Sequence, residues 1–403
     1  MSCLKKLRNL KMRDVPFLSE DEMSRYIYAD NAATTKLDID AFEAMKPYLL
    51  DDFGNASQPY FFSKRPKMAI RKARKTIAEC IGAEPEEIYF TSGGSESDNW
   101  AIKRFALSST DIRHIITSNI EHHAVLHSVE SERKYSNADI FYLNADEKGM
   151  VSPEELKKVL TRPRDAIATC ESTLVSVMLA NNEIGTIQPI AELSKVAREY
   201  GARFHTDAVQ AVGHIPIDVK DLGVSMLSAS AHKFNGPKGI GFLYSAGEIP
   251  NLIDGGAQEK GARAGTENVA AIVGMAVALE KNCLEMKANT KKILRLEKLL
   301  INRLNASGLD YIRNGTNQLP GNLSLSFADV EGEMLLHRMD LKKICISTGS
   351  ACDSVNTQVS HVIKAIGLPE KYEKGTIRIS LGKNNSDEDV LMIADALIQI
   401  LKD

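Results

Sequence analysis

In "SMLSASAHKFNGPKGIGFLY" (residues 225–244) a run of small residues ends in Ser230, His232 and Lys233, just before a Gly/Pro turn. A lysine fixed at the end of a strand can form a Schiff base with a carbonyl compound. An isolated lysine is far more often solvated, so its neighbours decide. "RFHTDAVQAVG" brings Asp207 and Gln210 to the end of another β-rich run. A carboxylate beside the nitrogen of a pyridine-type ring keeps that ring protonated and electron-withdrawing; the plainer role for Asp207 is to cap the next helix. "TSGGSESDNW" places Gly93 and Gly94 in a turn, with Ser95 and Glu96 opening a helix. Backbone N–H groups and the helix dipole at such a turn suit a phosphate, although the same turn also serves as an ordinary strand-to-helix connection.

Three further stretches add polar groups. "NIEHHAVLHS" supplies His122 and His123, either of which can stack on a ring, move a proton or be structural. "LANNEIGTIQPI" offers Asn181, Asn182 and Glu183, and Asn182 suits a ring oxygen or a carboxylate. "TIRISLG" sets Arg378 between Ile377 and Ile379. A guanidinium there needs an anion, either a substrate carboxylate or a structural ion-pair partner. In "STGSACDS" (347–354) Cys352 lies among serine, glycine and alanine, unlike a structural cysteine, which sits among apolar neighbours.

The elements that must position these residues follow an α/β rhythm. Short β-rich runs ("EIYF", "HIITS", "DIFYLN", "TLVSVMLA", "RFHTD", "SMLSAS", "IGFLY") alternate with helical patterns such as "SPEELKKVL" and "IAELSKVAREY". This predicts a mostly parallel sheet covered by helices, with its ligand site beyond the C-terminal strand ends. Residues 268–305 read as a long connecting helix. A smaller α+β unit with "NLSLSF" and "TIRISLG" follows.

The totals narrow the classes. The chain has 403 residues, 43% of them hydrophobic, and a net charge of -3, so no basic excess points to nucleic acid. Lys5, Lys6, Arg8, Lys11 and Arg13 form a local basic cluster. With Asp14, Glu20, Asp21 and Glu22 next to it, this reads as a short solvated helix before a transit or nucleic-acid arm. No apolar run reaches the ~20 residues of a membrane span, and no secretory leader is expected. The six cysteines (Cys3, Cys80, Cys170, Cys283, Cys345, Cys352) are scattered. They suggest neither a disulfide framework nor a metal site, and point to a reducing, cytoplasmic compartment. Cys345 is expected in the core of "KKICIS".

Together the motifs resemble the class V aminotransferases that use pyridoxal 5'-phosphate, from "YADNAATT" to "TIRISLG" and including "GGAQEKGARAGTEN". "STGSACDS" narrows the resemblance to the long-loop cysteine desulfurases. It implies the fold type I of these transferases: a mostly parallel seven-stranded sheet with helices on both faces, plus a smaller α+β domain. It implies an N-terminal extension and arm over 1–37, a large cofactor domain over 38–280 and a small domain over 281–403 carrying the cysteine loop. Lys233 corresponds to the lysine that binds the cofactor, Asp207 to the partner of the ring nitrogen, and Gln210 to the residue near the ring oxygen. His122 corresponds to the stacked, proton-transferring histidine and Asn182 to a contact of cofactor and substrate. Gly94, Ser95, Ser230 and His232 correspond to the phosphate cradle. Thr266 corresponds to a threonine reaching the neighbouring subunit's phosphate, hence a homodimer. Arg378 corresponds to the substrate-carboxylate arginine and Cys352 to the nucleophile that becomes a persulfide. L-cysteine is the implied substrate, and a scaffold or thiolation protein the implied sulfur acceptor. No resident metal, nucleic acid or membrane partner is implied. Selenocysteine lysis and transamination are the alternatives on the same fold. A non-catalytic sulfur-carrier or assembly subunit is the alternative of another class.

Overall fold

The computed structural model describes residues 26–107, 114–161, 173–349 and 359–403. The predicted N-terminal helix, Cys3, Cys170 and Cys352 lie outside the described residues. Seven strands form the main sheet: β2 (Ile88–Thr91), β3 (His114–Ser118), β4 (Asp139–Leu143), β5 (Thr173–Ser176), β6 (Arg203–Asp207), β7 (Met226–Ser230) and β8 (Gly241–Ser245). Their spatial order is β2-β8-β7-β6-β5-β3-β4. Only β8 runs against its neighbours, pairing antiparallel with both β2 and β7. The parallel strands therefore end on one side of the sheet, the side that receives Thr91, Ser118, Ser176, Asp207 and Ser230.

Both faces of this sheet are buried, as a parallel sheet requires. Ile115, Leu174, Met226 and Leu243 pack into one core, and their strand neighbours Ile116, Val175, Leu227 and Phe242 into the other. That alternation is the period of two that a pleated strand imposes. Helices α1 (Ile39–Leu50), α2 (Lys64–Ile81), α3 (Gly94–Leu107), α4 (His123–Ser136), α5 (Pro153–Leu160), α6 (Ile190–Glu199) and the short α7 (Val219–Leu222) surround it. Trp100 and Phe105 of α3 and Val125 and Val129 of α4 fill the first core. Ile77 of α2, Leu156 of α5 and Leu193 of α6 fill the second.

Helix α8 (Val269–Ser307) has 39 residues, about 58 Å at 1.5 Å per residue. Asn268 starts it by accepting a hydrogen bond from the Ala271 N–H, and Gly308 ends it in the left-handed conformation. Its first half packs on the sheet through Ile272, Met275 and Leu279. Its second half carries Ile293, Leu296, Leu300 and Leu304 into a separate core. That core also holds β9 (Tyr311–Asn314), β10 (Asn322–Phe327) and β12 (Thr376–Ser380), an antiparallel sheet in the order β12-β10-β9. Helices α9 (Gly332–Leu341) and α12 (Asp387–Lys402) cover it; α10 (His361–Ala365) and α11 (Glu370–Glu373) are short. β1 (Ile27–Tyr28) pairs in parallel with β11 (Ile344–Cys345), so the described N-terminus joins this second core. Cys345 departs from the expectation of a core residue. It is half-buried, because a two-stranded pair leaves one face of β11 uncovered.

Leu300 is fully buried where α8 enters the second core. Leu300→Ala is expected to cost about 2–5 kcal/mol, read as a lower denaturant midpoint with an unchanged slope.

Candidate functional site

A cavity of about 490 Å³ opens at the C-terminal strand ends. It is lined by Gly94 and Ser95 from the β2–α3 turn, His122 after β3, Asn182 after β5, Asp207 and Gln210 after β6, and Ser230, His232 and Lys233 after β7. Nine residues singled out in the sequence, from five separate stretches, thus meet in one place.

At one end, Gly94 begins α3. A Cβ there would come 2.5 Å from Val209 Cγ2, and one on Gly241 would come 2.4 Å from the Ala229 carbonyl oxygen and 2.7 Å from Gly93 Cα. The turn is therefore closed to side chains and leaves its backbone facing the cavity. The first N–H groups of a helix have no intrahelical acceptor, and Ser95 adds an exposed hydroxyl. Glu96 also lines this space, but its carboxylate is engaged, accepting from Ser92 N–H at 2.9 Å and pairing with Arg263 at 2.8 Å. The donor set suits a phosphate.

At the other end, Lys233 Nζ donates to the Ala32 and Ala33 carbonyl oxygens at 2.6 and 2.8 Å. Gln210 Nε2 donates to the same Ala32 oxygen at 3.0 Å. Between the two ends lies Asp207, 5% exposed. Its side chain accepts the Val209 N–H at 2.9 Å, bracing a turn where the sequence suggests a helix start, while it also lines the cavity. Burial raises its carboxyl above the usual carboxylate range, and His122, the Val209 N–H and Lys233 offset only part of this. For His122, burial lowers the ring, Asp207 opposes this and Lys233 reinforces it. His122 Nδ1 accepts the Ala124 N–H at 3.1 Å. In the neutral ring the proton is then on Nε2.

Two carboxyl groups here were not singled out in the sequence. Asp98 is 1% exposed, and its ligand oxygen lies within 4.8 Å of those of His122 and Asp207. Burial first, then Asp207, push it well above the usual carboxylate range. Asp98 lies four residues after Gly94, on the same face of α3, and that register is the one sequence signal for it. Glu121 is fully buried. Its Oε1 accepts from Ser118 Oγ at 2.5 Å and from Met178 N–H at 3.0 Å, while Oε2 has no hydrogen-bond partner. Burial pushes its carboxyl up to about 8, so it is mostly neutral at pH 7. Behind these, His205 is held by Ser176 and Ser228, each at 2.9 Å, and burial takes it down to about 3. Glu121 and His205 thus lie behind the cavity as neutral polar groups, and Asp98 and Asp207 line it.

Arg378 lines a second cavity of about 110 Å³, together with Asn182, His122, Gln210 and Lys233. It is 2% exposed. Nη2 pairs with Asp30 at 2.8 Å and Nη1 donates to the Asn182 carbonyl at 2.9 Å. The structural ion pair weighed in the sequence therefore exists. Nε is buried and without a hydrogen-bond partner. Asn181 is structural: its side chain bonds the Ile120 carbonyl and the Glu183 and Ile184 N–H groups. Thr266 is exposed and does not line either cavity of its own chain. Asn182, Ser230 and His232 line the larger cavity, His232 bonding Thr34 Oγ1 at 3.1 Å.

Comparison with known proteins gives the site its context. The model of the family described as Aminotransferase class-V matches residues 27–393. Cysteine desulfurase IscS of Dictyoglomus turgidum is 48% identical over 385 residues, covering 94% of this chain and 95% of the relative. Cysteine desulfurase IscS of Methanosarcina thermophila is 46% identical, covering 94% and 93%. Among solved structures, a NifS-like protein superposes with a TM-score of 0.85 at 35% identity, covering 94% of this chain and 99% of that one. SspA in complex with cysteine superposes with a TM-score of 0.77 at 36% identity, covering 89% and 100%.

The raised Glu121 carboxyl has a pH consequence with a defined sign. The folded chain keeps this proton up to about pH 8, whereas the unfolded chain loses it near 4.5. Folding therefore binds a proton between those values, and this group's contribution to stability falls as pH rises through that window. Glu121→Gln keeps an acceptor oxygen for Ser118 and Met178 and removes the titration. The melting temperature of the variant, relative to the parent, is expected to increase steadily from pH 4.5 to 8 and then level off. A difference independent of pH would contradict this.

Proposed function

The chain belongs to the class V aminotransferase family, and from that premise we infer that it is a cysteine desulfurase, removing sulfur from L-cysteine and releasing L-alanine. The observation that carries this reading is the placement of Lys233 and Asp207 around one cavity whose far end is a glycine-opened helix start. The family's chemistry depends on pyridoxal 5'-phosphate, and the cavity fits that group. Gly94, Ser95, Ser230 and His232 would hold its phosphate, Asp207 its ring nitrogen, Gln210 its ring oxygen and Lys233 its carbonyl carbon, with His122 against the ring. Bound there, the cofactor supplies an electron sink that loosens bonds next to the substrate's amino group and, one carbon further, the C–S bond.

The chain's own residues do the rest. Buried Asp207 supplies the anion that keeps a ring nitrogen protonated, and burial strengthens that contact. His122 carries its proton on Nε2, and Lys233 exchanges a proton at Nζ. Asn182 and the N–H groups of Arg378 not engaged by Asp30 and the Asn182 carbonyl receive the substrate carboxylate, while Asp30 holds the guanidinium. Cys352 takes the sulfur: the substrate C–S bond breaks, an S–S bond forms, and the thiol proton ends on the methyl group of alanine. No external oxidant or reductant enters this balance. The persulfide then passes to a scaffold or thiolation protein for iron–sulfur cluster assembly or for tRNA or cofactor thiolation.

We also propose a homodimer in which Thr266 reaches the neighbouring subunit's phosphate. Exposed apolar side chains support this: Leu50, Phe53, Tyr60 and Phe61, within twelve residues of one another in sequence, are exposed by 72%, 69%, 53% and 86%. The loop leading to Thr266 touches this stretch, with Gln258 Nε2 donating to Ser57 Oγ at 3.4 Å. On the same reading, residues 38–280 form the cofactor-binding unit and 281–403 the smaller one, dividing inside α8. A reducing cytoplasmic location is proposed with it, the described cysteines being unbridged.

The test is product analysis with L-cysteine, a thiol reductant and no keto acid. Alanine and sulfide are expected in equal amounts over many turnovers. No alanine from a yellow, cofactor-loaded protein would refute the assignment. Lys233→Ala is expected to lose the absorbance of the lysine-bound cofactor. Cys352→Ala is expected to bind cofactor and L-cysteine yet release little alanine; undiminished turnover would remove Cys352 from the reaction.

A further inference from the structure

The loop between β8 and α8 is bent in a way that needs an outside hold. Glu259, Lys260 and Gly261 are consecutive left-handed residues, with φ of 46°, 60° and 80°. Residues with side chains stay in that region only where their surroundings over-determine them. Here the hold is the Glu259 carboxylate, which is 7% exposed. Arg74 of α2 grips it with both ends of its fork, Nη2 to Oε1 at 2.6 Å and Nη1 to Oε2 at 2.8 Å. The Phe90 N–H of β2 donates to Oε2 at 2.9 Å. Removing either side of such a pair leaves a largely buried charge unmatched, so the grip is firm.

From this anchor the hold passes along the loop. Gln258, next to Glu259, accepts the Gly265 N–H through Oε1 at 3.2 Å. Arg263 is tied to Glu96 at 2.8 and 3.1 Å. The Leu252 and Ala264 N–H groups close the loop onto the Ala262 and Ile253 carbonyls at 2.8 and 3.0 Å. Thr266 follows Gly265 directly and is exposed, and Asn268 then caps α8. Neither Arg74 nor Glu259 lines the two cavities of its own chain. What the pair holds is the loop.

Resting on the homodimer reading, we propose that Glu259 is a positioning residue for the neighbouring subunit, holding this loop so that Thr266 meets the phosphate bound there. Its effect crosses the subunit boundary. Loss of Glu259 weakens cofactor binding in the neighbour's cavity, while the cavity of its own chain is still served by the intact loop of the other subunit.

The test separates the two sites of one dimer. Full-length chains with two different tags are co-expressed, and heterodimers are isolated, stripped of cofactor and titrated with pyridoxal 5'-phosphate. The absorbance of the lysine-bound cofactor reports only sites that retain Lys233. The reference joins an unaltered chain to a Lys233→Ala chain. A first heterodimer joins a Glu259→Gln chain to a Lys233→Ala chain. Its reporting site faces an intact loop, and the reference affinity is expected. A second joins a chain carrying both Glu259→Gln and Lys233→Ala to an unaltered chain. Its reporting site faces the altered loop, and the apparent Kd is expected to rise about tenfold, the fold-change of one hydrogen bond to a charged group. Equal affinities in the two, or weakening in the first alone, would overturn the proposal. If the Glu259→Gln chain does not fold, Gln258→Ala takes its place and the same comparison decides, since it frees the Gly265 N–H and leaves Arg74, Glu259 and Phe90 untouched. A protein that is monomeric in solution would refute the homodimer and this proposal together. Dimers without the lysine-bound absorbance in any combination would refute the cofactor reading, and the proposal with it.

Discussion

Six residues, Asp30 to Thr35, hold the two halves of the site together. The Ala32 and Ala33 carbonyls hold Lys233, and the Ala32 carbonyl also holds Gln210. Thr35 bonds the His232 carbonyl through its N–H and its hydroxyl, while Thr34 reaches the His232 ring. From the other core, Ser380 Oγ accepts the Ala32 N–H and Arg378 pairs with Asp30. One short strip of backbone thus fixes the lysine of one core against the arginine of the other. Backbone carbonyls are well suited to such anchoring, because the chain itself places them and they lose no rotamer freedom.

The electrostatics of the site follow from burial. Asp98, Glu121, His122, His205 and Asp207 all crowd behind or beside the cavity. In so dry a place, several like charges cannot coexist. Asp98 and Glu121 are pushed toward the protonated form and His122 and His205 toward the neutral one. Asp207 is raised as well, but there His122, the Val209 N–H and Lys233 oppose the effect of burial. Neutral neighbours let one carboxylate act on whatever occupies the cavity without competition.

Much of this was legible in the sequence, for a physical reason. Lys233, Asp207, His122 and Asn182 follow strands that announce themselves by β-branched runs, and a parallel sheet brings such ends together. What escaped was set by packing. Glu121 reads as a turn carboxylate, yet it is fully buried because Ser118 and the Met178 N–H satisfy one oxygen. Asp98 is found only from the register of α3. The tie between Asp30 and Arg378 joins distant parts of the chain, so no local pattern carries it. Cys80 and Cys283, which look scattered, lie in contact where α2 meets α8, and Cys345 falls on an edge pair.

The continuity of α8 bears on how the molecule comes apart. Its Leu279 side is locked into the sheet's core and its Leu296 side into the other, with no break in the helix between. Losing either core exposes half of an amphipathic rod, and a helix in water keeps little stability without tertiary cover. The remaining half then frays from its open end. The two cores are in this way coupled in melting, and damage on the small side is felt as lost stability on the large one.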